Sequence, residues 1–255
     1  MSFNLSRHDN LKAVLFVALL LAHAIVSATE FVPDQRVADA WRNLAHRASP
    51  SPTIATAGWL DAGGIHRVEA RIPPSWFVAS TRSGWDVEAV VEYVESLSRA
   101  FGRCNIEVAR SPLVILENFS GDAEGEVDER TWDSGVHFDN LPKNLAWVVL
   151  FADRIKSPFA GASIGGLAVF NRRVAHVIIA RHDQFGRTYE PKWILPHELA
   201  HHLLGPEHDP PGTPATIMAA HSCSRCTFSV AQCERMREVL SAHPQRDHTA
   251  AGNLR

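Results

Sequence analysis

The chain is 255 residues long, 45% hydrophobic, and carries a formal net charge of −3 from 25 basic and 28 acidic side chains. That is enough apolar material for one large domain with its own core, and the interspersed charges exclude the basic stripe of a nucleic-acid binder. Histidine is the outlier: there are 14, crowded towards the C-terminal third.

The first thirty residues read as a targeting segment. Arg7, His8 and Lys12 precede an uncharged apolar run from Ala13 to about Ala24, and Val26-Ser27-Ala28 offers a cleavage site. A retained anchor is the competing reading, but a spanning helix wants about 20 apolar residues and this run is shorter. Residues 1–28 are therefore expected to be a signal peptide. The mature chain would be secreted (extracellular or periplasmic), free of the membrane, and a monomer. Cys104, Cys223, Cys226 and Cys233 fit that compartment, and an even count suggests two disulfides with three pairings open. Cys223 and Cys226 also have CxxC spacing, but the second half of a four-cysteine zinc motif is missing.

Residues 29–52 show a helical pattern, with Val37, Trp41, Leu44 and Ala45 on one face, ending in Ser49-Pro50-Ser51-Pro52. This segment is either an N-terminal helix packed on the domain or a short pro-segment. Ile65 to Ile72 alternates as a strand closed by Pro73-Pro74. Asp86 to Phe101 reads as a helix, with Val87, Val90, Val91, Val94, Leu97 and Phe101 at helical spacing. Ile106–Val108 and Leu113–Leu116 are short strands. Glu117 to Gly135 is acidic and loop-like; its carboxylates lack EF-hand spacing, so a solvated loop is expected over a calcium site. Asn118-Phe119-Ser120 is a glycosylation sequon, meaningful in a eukaryotic secretory pathway.

Leu145–Phe151 is a continuous apolar run, as in a strand buried on both faces. Leu167–Phe170 and Ala175–Ala180 are two more strands joined in hairpin fashion through Asn171-Arg172-Arg173. This order describes an α/β domain with a mixed sheet over residues 53–242, followed by a polar, frayed tail at 243–255.

His197-Glu198-Leu199-Ala200-His201 places two imidazoles one helical turn apart on one face, where both can reach one ion at roughly 2.0–2.1 Å. Glu198 points about 100° away, poorly placed as a ligand but able to act as general base on a water activated by zinc. Composition alone would produce about 0.05 such matches by chance, and the residues after His201 strengthen the match. Gly205-Pro206 is a helix stop, and beyond it His208-Asp209 can swing back as a third ligand, leaving an open position for water.

Here the sequence resembles the metzincin zinc metalloproteases, and most resembles their adamalysin (reprolysin) branch, whose pattern is HExxHxxGxxHD followed by a methionine turn. The matching residues run from His197 to Asp209, then Thr216-Ile217-Met218-Ala219. Upstream, Leu145–Phe151, Ile164–Ala168 and Val174–Arg181 resemble the family's central, edge and last strands. Downstream, Phe228 to Cys233 resembles its final helix, with Ser229 and Gln232 as a capping box. The resemblance implies a zincin-like metzincin catalytic domain, α/β (α+β), with a mixed, mostly parallel sheet, zinc-binding helix, Met-turn and C-terminal helix. It implies one catalytic Zn2+ held by His197, His201 and His208, with Glu198 as general base and Met218 as the floor beneath the metal. It also implies an edge strand near Leu167–Phe170 that takes a protein or peptide substrate as an added strand. Cys104 is expected to pair with one cysteine of the C-terminal cluster.

The sequence departs from the pattern in four ways. Gly205 lies four residues after His201 where the family has three, so strict counting makes Glu207 the third ligand, whereas counting from the glycine turn makes it His208. The extra residue needs a helix extension or a π-bulge. Pro196 directly precedes His197, so the helix must start late or kink there. No cysteine lies in the N-terminal segment to support a cysteine-switch pro-segment, and no tyrosine follows Met218, where His221 lies nearby without an assigned role. The expected function is that of a secreted zinc metalloendopeptidase. Its rivals are a zinc hydrolase of another amide, such as a cell-wall peptide, and a catalytically inactive zinc-binding interaction module.

Overall fold

The computed structural model describes residues 30–33, 53–61, 67–73, 75–80, 83–117, 126–128, 147–156, 164–170, 175–183, 185–189, 193–211, 215–220 and 226–242. The expected signal peptide, the sequon, His221 and the C-terminal tail lie outside these residues, as does nearly all of the acidic stretch after Glu117.

A seven-stranded sheet forms the frame. Its strands are β1 (Glu30–Pro33), β2 (Thr53–Asp61), β4 (Ser75–Ser80), β6 (Ser111–Glu117), β8 (Trp147–Ala152), β10 (Gly166–Phe170) and β11 (Ala175–Ala180), in the spatial order β1-β2-β6-β4-β8-β11-β10. The four central strands β6, β4, β8 and β11 run parallel, and antiparallel strands flank them: β2 and β1 on one side, β10 on the other. Two small parallel pairs complete the strands, β3 (Ala70–Ile72) with β5 (Ile106–Val108) and β7 (Glu126–Asp128) with β9 (Arg154–Lys156). The expected mixed α/β architecture is present. β8 explains its own place: all six of its residues are buried, as a strand needs when parallel neighbours lie on both sides and other elements cover both faces.

Helix α1 (Val87–Gly102) begins at Asp86, whose carboxylate accepts the Ala89 N–H at 2.7 Å, satisfying one of the amides that a helix start leaves unpaired. Val90, Tyr93, Val94, Leu97 and Phe101 form its buried stripe, each contributing on the order of 1.5–3 kcal/mol by burial. Helix α2 (Ile194–Leu204) packs against α1, β10 and β11, and helix α3 (Val230–Ala242) packs against α2. Ser229 and Gln232 form the expected capping box: the Ser229 N–H donates to Gln232 Oε1 at 2.9 Å, and the Gln232 N–H to Ser229 Oγ at 3.2 Å.

Several expectations change. Glu30–Pro33, assigned to the N-terminal helix, is a strand paired with Gly58–Asp61; Phe31 and Val32 suit a pleated surface, and an available partner strand overrides a weak helical period. The rest of 34–52 is outside the described residues. Of the strand expected from Ile65, residues 65–66 lie outside the described residues, Ala70–Ile72 is a strand, and Arg67–Glu69 bend where the Glu69 N–H donates to the Asn105 carbonyl at 2.8 Å. Glu126–Asp128, expected as loop, pairs with β9. β2 and β4 were not anticipated. β4 starts straight after Pro74, and its alternation is hidden because Phe77, Val78 and Ala79 are all buried.

Cys104, just past α1, is bonded to Cys233 in α3 with Cα atoms 5.0 Å apart, as expected of one cysteine of the C-terminal cluster. Cys226 is disulfide-bonded as well. Around the first bridge, Phe101 meets Phe228 edge-on at 5.1 Å and the Arg237 guanidinium donates to the Cys104 carbonyl at 2.8 Å. The bridge spans 129 residues of sequence, a long loop to constrain in the unfolded chain. Replacing Cys104 and Cys233 together by serine is expected to lower stability by about 2–5 kcal/mol, read as a fall in the urea midpoint. An unchanged midpoint would show that the packing around Phe101 and Phe228 suffices without the bond.

Candidate metal centre

Helix α2 is buried along its first seven residues, Ile194 to Ala200. Pro196 sits in its first turn, where an N–H has no intrahelical partner to lose; the first backbone bond runs from the His197 N–H to the Trp193 carbonyl at 2.9 Å. The helix starts late, as the proline required. At the other end the extra residue is absorbed by α-helix continuing to Leu204, with the Gly205 N–H still reaching the His201 carbonyl at 2.9 Å. Gly205 then adopts φ +104°, a conformation that side-chain-bearing residues rarely enter, and the chain turns back.

That turn brings His208 to the helix. The ring nitrogens of His197, His201 and His208 offer three ligand atoms within 4.8 Å of one another, an arrangement that can hold a metal ion. The His208 ring lies 5.2 Å from that of His197 and 5.0 Å from that of His201, centroid to centroid. Glu207 is exposed and outside this cluster. His197 and His201 are buried, His208 exposed.

The buried imidazoles are oriented by backbone carbonyls. His197 Nδ1 lies 2.6 Å from the Ile217 oxygen, and His201 Nδ1 lies 2.9 Å from the Gly205 oxygen. A carbonyl can only accept, so each Nδ1 carries the proton and each Nε2 is a bare lone pair in the neutral ring. Those two Nε2 atoms stand 3.1 Å apart. Burial, with the two neighbouring histidines adding to it, holds His197 down at about 4, against the pull of its Ile217 hydrogen bond; burial also lowers His201. Both rings are neutral at physiological pH, the state a metal ligand needs.

Glu198 is buried between α2 and the edge strand β10, with 8% of its surface exposed. Burial pushes its carboxyl up to about 8, opposed by a hydrogen bond from the Ala168 N–H. Room for it comes from Gly166: a Cβ there would meet Glu198 Cγ and lie 2.7 Å from its Oε1 and 2.8 Å from Ile194 Cγ2. The residue expected as a metal floor, Met218, is buried in the core, and its turn contributes the Ile217 carbonyl that accepts from His197. Asp209 ties that turn down, its carboxylate accepting from the Thr216 hydroxyl at 2.6 Å and from Gln232 Nε2 at 2.9 Å.

Sequence reasoning missed Gly166, Ala168, Ile217 and Gln232 as supports of the cluster. The adjacent pair Gly165-Gly166 at the start of a strand was a usable signal, since glycine there marks close approach. The other three act partly or wholly through backbone groups or at long range, and leave no trace in residue type. Gly166→Ala is expected to cost about 1–3 kcal/mol through overpacking, and more than Gly165→Ala, whose Cβ would meet only Ile194 and Tyr189 at 3.0 Å. Equal unfolding midpoints for the two variants would show that Glu198 has another place to go.

No protein-family model matches the chain, and no curated protein does. Among solved structures it is similar to metalloproteinase-II from Bacteroides fragilis, at 14% identity and a TM-score of 0.44. The match covers 71% of this chain, which spans 55% of the length of that one.

Proposed function

We propose that the chain is an exported zinc-dependent endopeptidase, with His197, His201 and His208 as metal ligands and Glu198 as the general base. The observation that carries this reading is the pair of buried Nε2 atoms 3.1 Å apart. Both are acceptors without a proton between them, and two facing lone pairs in a buried site are unfavourable unless a cation accepts both. Two nitrogens bound to one tetrahedral ion at 2.0–2.1 Å stand about 3.3 Å apart, close to what is seen. Three neutral imidazoles and no thiolate suit zinc. The carbonyls on Nδ1 are the outer partners that such ligands ordinarily have.

Zinc, when bound, supplies Lewis acidity, acidifying water and polarising a peptide carbonyl. A divalent charge among the histidines also draws the Glu198 carboxyl back towards ionisation. The Glu198 carboxylate then takes a proton from the attacking water and returns it to the leaving amine. The Ala168 N–H holds that carboxylate towards the edge strand.

Among the described residues β10 ends the sheet, and its outer edge suits a peptide. The Ala180 N–H donates to the Gly165 carbonyl at 2.9 Å. By antiparallel alternation, Leu167 and Val169 also bond to β11, while the backbone groups of Gly166 and Phe170 and the Ala168 carbonyl turn outwards. An extended substrate would add there as a strand. Export is supported by the Cys104–Cys233 bridge, which persists in oxidising compartments, and by the N-terminal targeting pattern. No helix among the described residues is long and apolar enough to cross a membrane. The spacing from Gly205 to His208 and Asp209 favours the adamalysin-like branch of the metzincins.

The purified chain is expected to hold about one zinc and to stop cleaving unfolded casein when chelated; cleavage that survives exhaustive metal removal overturns the proposal. Glu198→Gln should keep zinc yet lower turnover by at least ~10², whereas near-normal turnover assigns the base elsewhere. His208→Ala should weaken zinc binding by more than the roughly 10–100-fold that loss of an outer partner costs, with Glu207→Ala nearly silent. The reverse ranking makes Glu207 the ligand.

A further inference from the structure

His208 differs from its two partners. His197 and His201 are buried and anchored through Nδ1, while His208 is exposed, and among the described residues its ring has no hydrogen bond to a carbonyl. Its position therefore depends on its backbone, which the next residue fixes. The Asp209 N–H donates to the Met218 carbonyl at 2.9 Å. Its carboxylate accepts the Thr216 N–H at 3.2 Å and the Thr216 hydroxyl at 2.6 Å, and the Thr216 oxygen in turn accepts the Met218 N–H at 3.0 Å. The same short turn presents the Ile217 carbonyl to His197. One carboxylate thus controls two of the three histidines, His208 by adjacency and His197 through the turn.

What holds Asp209 in turn is Gln232. Its side chain is used twice: Oε1 accepts the Ser229 N–H, closing the helix cap, and Nε2 donates to Asp209 Oδ1 at 2.9 Å. The next residue, Cys233, is covalently fixed to Cys104 at the end of α1. The glutamine therefore stands on a base tied to the body of the domain, and its amide is half-buried against the loop that bears His208. Resting on the zinc reading above, we propose that Gln232 is a positioning residue of the metal centre. Its amide, acting through Asp209, sets the His208 backbone and the Met218 turn for three-histidine binding.

Helix capping and positioning are separable here. Gln232→Glu keeps the oxygen that accepts the Ser229 N–H but turns the Asp209 contact into two facing carboxylates. Ser229→Ala removes a cap hydroxyl and leaves the Asp209 contact. Asp209→Asn combined with Gln232→Glu reverses donor and acceptor, restoring a hydrogen bond between the two side chains while leaving an oxygen at 209 for Thr216. Zinc dissociation constants for the disulfide-intact chain, measured by competition with a chromophoric chelator, distinguish these cases. Gln232→Glu and Gln232→Ala should each weaken zinc binding by about 10–100-fold, Ser229→Ala should remain within about twofold of the parent, and the double variant should bind tighter than Gln232→Glu alone. Parent-like affinity in both Gln232 variants overturns the proposal. So does an equal loss in Ser229→Ala, which would make capping sufficient, or a double variant no better than Gln232→Glu. A parent chain that takes up no zinc overturns the metal reading itself, a result that the parent measurement alone reveals.

Discussion

The structure is organised around the cost of placing three polar side chains inside a buried helix. His197, Glu198 and His201 are 4%, 8% and 5% exposed, and an unpaired buried polar group costs on the order of 1–3 kcal/mol. Each therefore needs a fixed partner, and each finds one on a different segment of backbone: Ile217, Ala168 and Gly205. The turn after α2, the turn carrying Met218 and the edge strand are held in register by these three bonds. Moving any one of them strands a buried donor or acceptor. The arrangement also explains why the two buried imidazoles share a tautomer, since both Nδ1 atoms face carbonyls and both Nε2 atoms face each other.

Helix α2 meets β10 through matched periodicities. Ile194, Glu198 and His202 recur every four residues on one helix face, and Gly166, Ala168 and Phe170 recur every two on one strand face. Gly166 lies under Ile194 and Glu198, Ala168 donates to Glu198, and the Phe170 ring lies 4.9 Å from that of His202. The strand side chains grow along the strand from hydrogen to methyl to phenyl. The strand thus leaves room where Glu198 is enclosed, while at its far end the exposed Phe170 ring lies beside His202. A larger residue at 166 would have to displace either the carboxylate or the helix.

Local patterns were legible in the sequence, and long-range supports were not. The HExxH spacing, the Gly205 stop and the capping box at Ser229 are local patterns whose geometry follows from helical period and backbone conformation, and all three are present as read. β8 and the β10–β11 hairpin were legible because a long apolar run and a short polar connection leave few alternatives. The first half of the chain was less legible. β1 pairs with β2, and β2 with β6, across long stretches of sequence, so their partners, and not their own residues, decide that they are strands. The supports of the histidine cluster are hidden for a related reason. Ile217 and Gly205 act through carbonyls that every residue possesses, and Gln232 acts on Asp209 from 23 positions away.

Counting on from the Gly205 turn leads to His208, whose ring nitrogen lies with those of His197 and His201, whereas strict counting from His201 leads to Glu207, which lies outside that cluster. With glycine at the fourth position, its N–H continues the helix by bonding to the His201 carbonyl, and its own carbonyl accepts the His201 imidazole. The same residue thus closes both the backbone and the side chain of His201. The path beyond it depends on the glycine's φ of +104°, which redirects the chain by the same amount wherever along the helix it occurs. One added helical residue rotates the exit by about 100° and advances it by about 1.5 Å, so the turn must compensate before His208 can face His197. The carboxylate of Asp209 supplies the restraint, fastening the returning chain to the Met218 turn, which is itself anchored to His197. The longer helix is accommodated between two points fixed to different histidines, and the short interval from Gly205 to His208 decides which side chain returns to the helix.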